Sequence, residues 1–276
     1  MTFSVNTTVG AMVALQSLTK TTGDLAMTQK RIATGFRVAD AMDDGAAYAV
    51  AERVRGDIAA TSSANDQLGN AQGMISVANT ALDNVGKSLQ DLKALTVKLA
   101  DGTLSASQRT QYQSQAKEIT NNVNSFIKNA NYNGRNILNN PATIANNVVQ
   151  DGSGSVYTIN GYAAATNVYN VVSGANAFTA GAAQAALTAT GSISTAINNT
   201  LSQLNKFGSY NKYVGAQITY NNAVMDAQNT GIGALVDADM AKEAAQLQAL
   251  QIRQQLGTQA LGIANNAPQS LLSLFR

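Results

Sequence analysis

Between Asp44 and Ala100 the chain has no proline, and Leu68, Ile75, Leu82, Val85, Leu89, Leu92 and Leu99 recur at spacings of 3, 4 and 7. That period belongs to an α-helix with one apolar face. At ~1.5 Å per residue a run of this length is about 85 Å long. A compact globule has no room for such a helix, so the spacing predicts a rod with other helices lying alongside. Asp43 and Asp44, ahead of Gly45-Ala46-Ala47, read as its N-cap and dipole partners.

The flanking sequence supplies the companions. Asp101-Gly102 stops the long helix, and Ser105 or Ser107 starts another that runs to about Asn129 with Ile119, Val123, Phe126 and Ile127 as its apolar side. Asn133-Gly134 and Asn139-Asn140-Pro141 end the regular pattern. From Arg135 to Lys206 the single charged residue between them is Asp151. Within that stretch Ser155–Ile159 and Asn167–Val172 alternate apolar and polar beside the turn signals Asp151-Gly152 and Asn160-Gly161, which predicts one or two small β-hairpins. Alanine-rich residues 180–190 lead into a helix over 191–230 through Ile193, Ile197, Leu201, Leu204, Tyr210, Val214, Ile218 and Met225. Gly231-Ile232-Gly233 is expected to break it, Asp237 or Asp239 to cap the last helix, and Pro268 to kink or restart that helix.

The two ends of the chain share a property. On a helical wheel Phe3, Leu18, Leu25 and Ile32 fall on one face of the first segment, and Val5, Val9, Met12 and Met27 on the other. In the last segment Val236, Met240, Ala244, Leu247, Leu250, Gly257 and Leu261 form one stripe. Ile252, Leu256 and Ile263 lie nearly opposite, and the sequence closes on Leu271, Leu272, Leu274 and Phe275. A surface helix of a globule has one apolar stripe and one wet face. If these two helices pair with each other, each retains an unfilled stripe. Copies of the same chain can fill it, and unmatched faces at both ends favour an open head-to-tail polymer. Gly35 after Lys30, Arg31 and Ile32 is the glycine stop of the first helix.

Chemistry is poorly served. The chain has no cysteine, histidine or tryptophan, which removes thiol and imidazole catalysis, a disulfide framework and most metal sites. Asp237 and Asp239 lack the spacing of a calcium loop, and no phosphate-binding glycine motif or nucleophile elbow is present. No cofactor, metal or enzymatic activity is expected. A net charge of +2 with 12% charged residues gives no nucleic-acid footprint. No apolar run reaches membrane-spanning length, and the N-terminus lacks the pattern of a cleaved signal peptide.

The stretches from Ser4 to Arg55 and from Asp237 to Arg276 resemble the N- and C-terminal regions of bacterial flagellins, and the likeness covers roughly residues 1–140 and 190–276. The resemblance implies a mainly α fold: a long antiparallel helical rod with one or two hairpins mid-chain and paired terminal helices. In it residues 1–42 and 234–276 form an inner domain, 43–135 and 186–233 the rod, and 136–185 a small variable region. It implies an extracellular flagellar filament subunit that binds other flagellin copies or paralogues. Hook–filament junction and cap proteins, the flagellar export apparatus and a chaperone on the C-terminal segment are the further implied partners. Alternatives are a flagellin-related junction protein, or a secreted translocator that acts on membranes. Two departures stand out. Where many of the family carry Ser-Arg-Ile, this chain has Gly233-Ala234-Leu235. Where the flagellins detected by the vertebrate innate receptor carry an arginine and a glutamate, this chain has Asp91 and, by a less direct match, Gln115.

Overall fold

The computed structural model describes residues 9–139, 145–174 and 178–272. In chain order the elements are α1 (Val9–Thr34), α2 (Gly45–Leu99), α3 (Ala106–Asn129), β1 (Ala145–Val149) and β2 (Val156–Asn160). A π-helical turn (Ala165–Tyr169) then runs into α4 (Asn170–Val172), followed by α5 (Ala180–Leu187), α6 (Ser192–Val236) and α7 (Met240–Leu272). The fold is mainly α with one antiparallel hairpin. It divides into two compact units, one of Met1–Gly56 with Asp226–Arg276 and one of Asp57–Met225.

The Asp57–Met225 unit is organised by sevens. Along α2, Leu68, Ile75, Leu82 and Leu89 are fully buried, as are Ala78, Val85, Leu92 and Leu99 in the intervening row. Along α6 the buried row is Ile193, Thr200, Phe207, Val214 and Asn221, each one heptad after the last. Ala116, Thr120, Val123 and Ile127 of α3 complete the seam. This is the a/d pattern of helices that pack side by side. Two expected apolar residues are not in it. Phe126 and Leu201 are exposed, because each sits one residue off the seam, beside Ile127 and Thr200. The seam accepts threonine there because Thr200 Oγ1 donates to the Ala196 carbonyl at 2.8 Å, which satisfies the hydroxyl inside the helix.

The α2–α3 corner is fixed by Ser105, whose hydroxyl accepts from the Gln108 amide while Gln108 reaches back to the Ser105 N–H, a capping box. Arg109 donates to the carbonyls of Leu99 and Asp101, satisfying the exposed end of α2.

The hairpin pairs Ala145 with Asn160 through Val149 with Val156. Its loop closes where Asp151 Oδ1 accepts from the amides of Ser153 and Ser155. The strand expected at Ser155–Ile159 is therefore β2, shifted by one residue. The one expected at Asn167–Val172 is helical. Val168 and Val172 are both buried, and a spacing of four fits a helix as well as a strand. The partner of β2 comes from upstream, in Ala145–Val149. Asn160-Gly161 is not a hairpin turn either; Tyr162 N–H goes on to the Ile137 carbonyl at 2.7 Å.

In the other unit Gly35 ends α1 with φ 76° and donates to the Arg31 carbonyl. Asp44 caps α2 by accepting from Ala46 and Ala47 N–H, and Asp239 caps α7 by accepting from Ala241 and Lys242 N–H. The break expected at Gly231-Ile232-Gly233 does not occur; α6 continues to Val236. Val236 is buried with Val38, Ala47 and Ala51, with Ile232 and Leu235 packed on them. That burial outweighs about 1 kcal/mol per helical glycine. α7 likewise continues past Pro268 to Leu272 without restarting.

Candidate assembly surface

α1 and α7 lie against each other and run antiparallel. Arg31 meets Glu243 at one end of the contact and Leu18 meets Gly257 further along, so residue numbers fall on α7 as they rise on α1. The seam is tight: a Cβ at Gly257 would sit 3.2 Å from Leu18 Cδ1. Small residues at such positions are what let two helices approach closely.

One stripe of each helix is covered by this pairing. Leu18, Leu25 and Ile32 on α1 and Leu247, Gly257 and Leu261 on α7 are half-buried, and Leu250 is buried. The opposite rows are bare. On α1, Val9, Met12, Val13, Leu15 and Met27 are exposed, with Val9 at 72%. On α7, Ile252 and Leu256 are each 58% exposed and Ile263 73%, while Met240, at the start of the helix on the stripe of Leu247 and Leu261, is exposed too. Phe3, Val5, Leu274 and Phe275 lie outside the described residues, as do the side chains of Leu271 and Leu272. Apart from Thr28 on α1 and Glu243 and Leu250 on α7, no described residue of either helix is buried.

Two polar clusters fix the base of the pair, and reading the apolar period alone missed both. Glu243 is buried and takes Arg31 Nη1 at 3.3 Å through Oε1. Its Oε2 and Arg31 Nε have no partner among the described residues. The available signal was a carboxylate placed four residues before Leu247 on the covered stripe. The second cluster is a clamp over the α1–α2 connector. Lys30 Nζ reaches Asp40 at 2.6 Å and Asp43 at 3.0 Å. Asp43 also accepts from the Ala39 and Asp40 amides. The Lys30 bond, then the Met42 N–H, hold the Asp40 carboxyl below the usual range; for Asp43 the order is Lys30, then Ala39. The two carboxylates raise Lys30, Asp40 contributing most. Asp43 is thus a connector residue, and Asp44 alone caps α2. Next to the clamp, the connector joins the end of α6: Arg37 N–H donates to the Val236 carbonyl at 2.7 Å and Ala238 N–H to the Gly35 carbonyl at 2.9 Å.

The other residues singled out in the sequence lie elsewhere. Asp91 on α2 and Gln115 on α3 are both exposed. Among the described residues no group of His, Cys, Asp or Glu could hold a metal ion, and no described helix is long and apolar enough to cross a membrane.

Comparison with known proteins accounts for both ends of the chain. The pattern of the bacterial flagellin N-terminal helical region matches residues 5–143, and that of the bacterial flagellin C-terminal helical region matches residues 190–275. Flagellin FljK of Caulobacter vibrioides is 35% identical over 99% of this chain and 98% of its own length. A flagellin of Brucella melitensis is 35% identical over 99% of each. Flagellin C of Rhizobium meliloti is 30% identical over 99% of each.

Proposed function

We propose, from the premise that this chain belongs to the bacterial flagellin family and is a structural subunit of the extracellular flagellar filament, that it polymerises through the faces of α1 and α7 that its own fold leaves bare. The observation that carries this is the pairing itself: each helix covers one stripe of the other, and each keeps a second apolar row. The two bare rows differ, Val9, Met12 and Met27 on one helix and Ile252, Leu256 and Ile263 on the other, and Met240, exposed at the start of α7 on its other stripe, is assigned to assembly as well. One copy's α7 row can therefore meet the next copy's α1 row, a heterologous contact that does not close on itself. Each large apolar side chain so buried contributes roughly 1.5–3 kcal/mol. Val5 continues the bare row of α1 and Phe3 its other stripe, and these two with Leu271, Leu272, Leu274 and Phe275 are assigned to assembly as well. Leu18, Leu25, Ile32, Leu247, Leu250 and Leu261 hold the pair together within one copy.

Further partners follow from family membership: the flagellar export apparatus, a chaperone that occupies the C-terminal segment before export, and the hook–filament junction and cap proteins. The flagellins that match over the whole chain disfavour both the junction-protein and the membrane-translocator readings. Export without a cleaved signal peptide belongs to the same proposal.

Seeded polymerisation tests the assignment. Leu256→Asp should remain helical and monomeric and fail to extend filament seeds, whereas Val156→Asp on the exposed hairpin should extend them. Seed extension by Leu256→Asp at the wild-type rate would remove the α7 row from the interface.

We also assign weak detection by the vertebrate innate receptor to Asp91 and Gln115. Loss of one partner of an interfacial charge pair costs about 2–5 kcal/mol, and reversal adds repulsion. That is at least about thirtyfold in affinity. In a receptor-reporter assay Asp91→Arg/Gln115→Glu should gain that factor; equal potency of the two proteins would refute the assignment.

A further inference from the structure

The chain contains two Asn-Gly pairs, Asn133-Gly134 and Asn160-Gly161, which look alike in sequence. The fold treats them differently, and we propose that Asn133 is a self-modifying site, deamidating in the folded protein while Asn160 is protected.

Asn133 is the one non-glycine residue with a left-handed backbone among those described, at φ 48°, and Gly134 follows at φ 75°. Tyr132 N–H donates to the Arg135 carbonyl and Arg135 N–H to the Tyr132 carbonyl, both at 2.9 Å. This is a two-residue hairpin turn in which both central residues are left-handed. Asn133 and Gly134 are exposed. The Gly134 N–H makes no backbone hydrogen bond among the described residues. The side of Gly134 where a Cβ would stand is open, with nothing within 4 Å. The nucleophile is free, the carboxamide beside it is solvated, and no neighbour blocks ring closure. The two hydrogen bonds of a single turn are what must open, and opening releases a non-glycine residue from a disfavoured backbone region.

The step needs only water. The Gly134 nitrogen attacks Asn133 Cγ, the new N–Cγ bond closes a five-membered imide, and the Cγ–Nδ2 bond breaks. The departing nitrogen takes the Gly134 amide proton and leaves as ammonia. Water then opens the imide at either carbonyl. Opening at Cγ gives aspartate, and opening at the backbone carbonyl gives isoaspartate, whose main chain is one methylene longer.

Asn160 has none of this freedom. It ends β2 in register with Ala145, and Gly161 behind it is buried. Ring closure there would take apart the strand end and bring water to a covered glycine.

The product changes its surroundings. A carboxylate appears two residues before Arg135, whose Nη2 donates to Asn146 Oδ1 at 2.7 Å. It lines a groove shared with Gln67, Asn70, Tyr132 and Asn146. Isoaspartate also destroys the turn that presents Tyr132 to Gly73, where a Cβ would stand 2.8 Å from the ring. Each subunit would thus acquire, with time, a negative charge and a loosened contact on α2.

The test is peptide mapping by mass spectrometry of depolymerised wild-type protein held at neutral pH. The peptide with Asn133 should gain one mass unit, with an isoaspartate form resolved by elution, about tenfold faster than the peptide with Asn160. In denaturant the two rates should converge. Asn133→Gly, which keeps a residue suited to the left-handed turn, should abolish the first signal and leave the second unchanged. Equal native rates at the two sites, or a faster one at Asn160, would overturn the proposal.

Discussion

The unit of Asp57–Met225 and the unit built from the two ends of the chain are made of the same kind of helix and are stabilised in different ways. In the first, rows of seven-spaced residues on α2 and α6 are buried within the chain, down to Phe207 and Leu82 at zero exposure. In the second, α1 has one buried residue, Thr28, and α7 has Glu243 and Leu250 among the described ones. Isolated helices are marginal in water, and tertiary burial supplies most of their stability. One unit therefore carries its own core, while the other has a small buried cluster and leaves a second apolar row of α1 and of α7 uncovered, the rows assigned by proposal to contacts with other copies. On the proposed assembly, subunit stability and polymer stability are located in different residues.

The strongest way to break this comparison is truncation. Removal of Val236–Arg276 should abolish seeded polymerisation outright while the Asp57–Met225 unit keeps its cooperative thermal unfolding. Filaments from the truncated protein, seen by electron microscopy, would show that the bare rows are not the polymer contacts. Next in size is a cavity in the complete core. Phe207→Ala should lower the unfolding free energy of the monomer by about 3–5 kcal/mol in a denaturant titration. The matched change on the bare row, Ile252→Ala, should alter monomer stability by less than about 0.5 kcal/mol yet slow seed extension. A similar destabilisation by both would mean that α7 is as fully packed in one chain as α6.

Hydrogen exchange sharpens the same contrast. In the monomer the amides of α1 and α7 should exchange far faster than those of Asp57–Leu99 on α2, since opening free energies follow local burial. In the filament the two sets should approach each other. Equal protection in the monomer would mean that the α1–α7 pair is stable without neighbours.

The long helix was legible because Leu68, Ile75, Leu82, Val85, Leu89, Leu92 and Leu99 are all apolar and all face one way. The α6 seam was harder, since it alternates Ile193, Phe207 and Val214 with Thr200 and Asn221, and polarity hides the period. Leu201, apolar and exposed, stands one residue out of phase with the buried Thr200. At Asn167–Val172 the spacing of Val168 and Val172 serves strand and helix equally, so local pattern had no means to choose. Gly231 and Gly233 looked like a break because the cluster of Val38, Ala47, Ala51 and Val236 that holds α6 together is assembled from distant parts of the sequence. For the assembly surface the second stripes were visible as apolar residues without an intrachain partner, whereas Arg31–Glu243 and the Lys30 clamp depend on which helices meet.

The smallest expected effect concerns that clamp, and it separates the units by pH. Asp40 and Asp43 are held below the usual carboxylate value of 3.8, chiefly by the Lys30 hydrogen bond. A group with a lowered folded pKa contributes its stabilisation above the unfolded value and loses it as pH falls through the folded one. Lys30 is raised above 10.5, so its share is complete below that value and is lost as pH climbs through the raised one. The clamp is therefore whole between roughly pH 4 and pH 10 and weakens on either side. The low-lying carboxylates Asp101 and Asp151 of the other unit hold loops through Thr103 and through Ser153 and Ser155, not the α2–α6 seam. Acidification below about pH 4 should therefore loosen the connector at residues 35–44 before the seam opens, read as amide shifts of Ala39 and Met42 against those of Leu82 and Val85. Asp43→Asn should shift this acid transition more than Asp40→Asn, because each carboxylate accepts two backbone amides but the Asp43 side chain is 11% exposed against 46% for Asp40. Added salt should shrink the difference, as it does for ion pairs open to solvent. Coincident acid transitions at the connector and the seam, or an Asp43→Asn protein titrating like the wild type, would mean that the connector is held by its backbone bonds to Val236 alone.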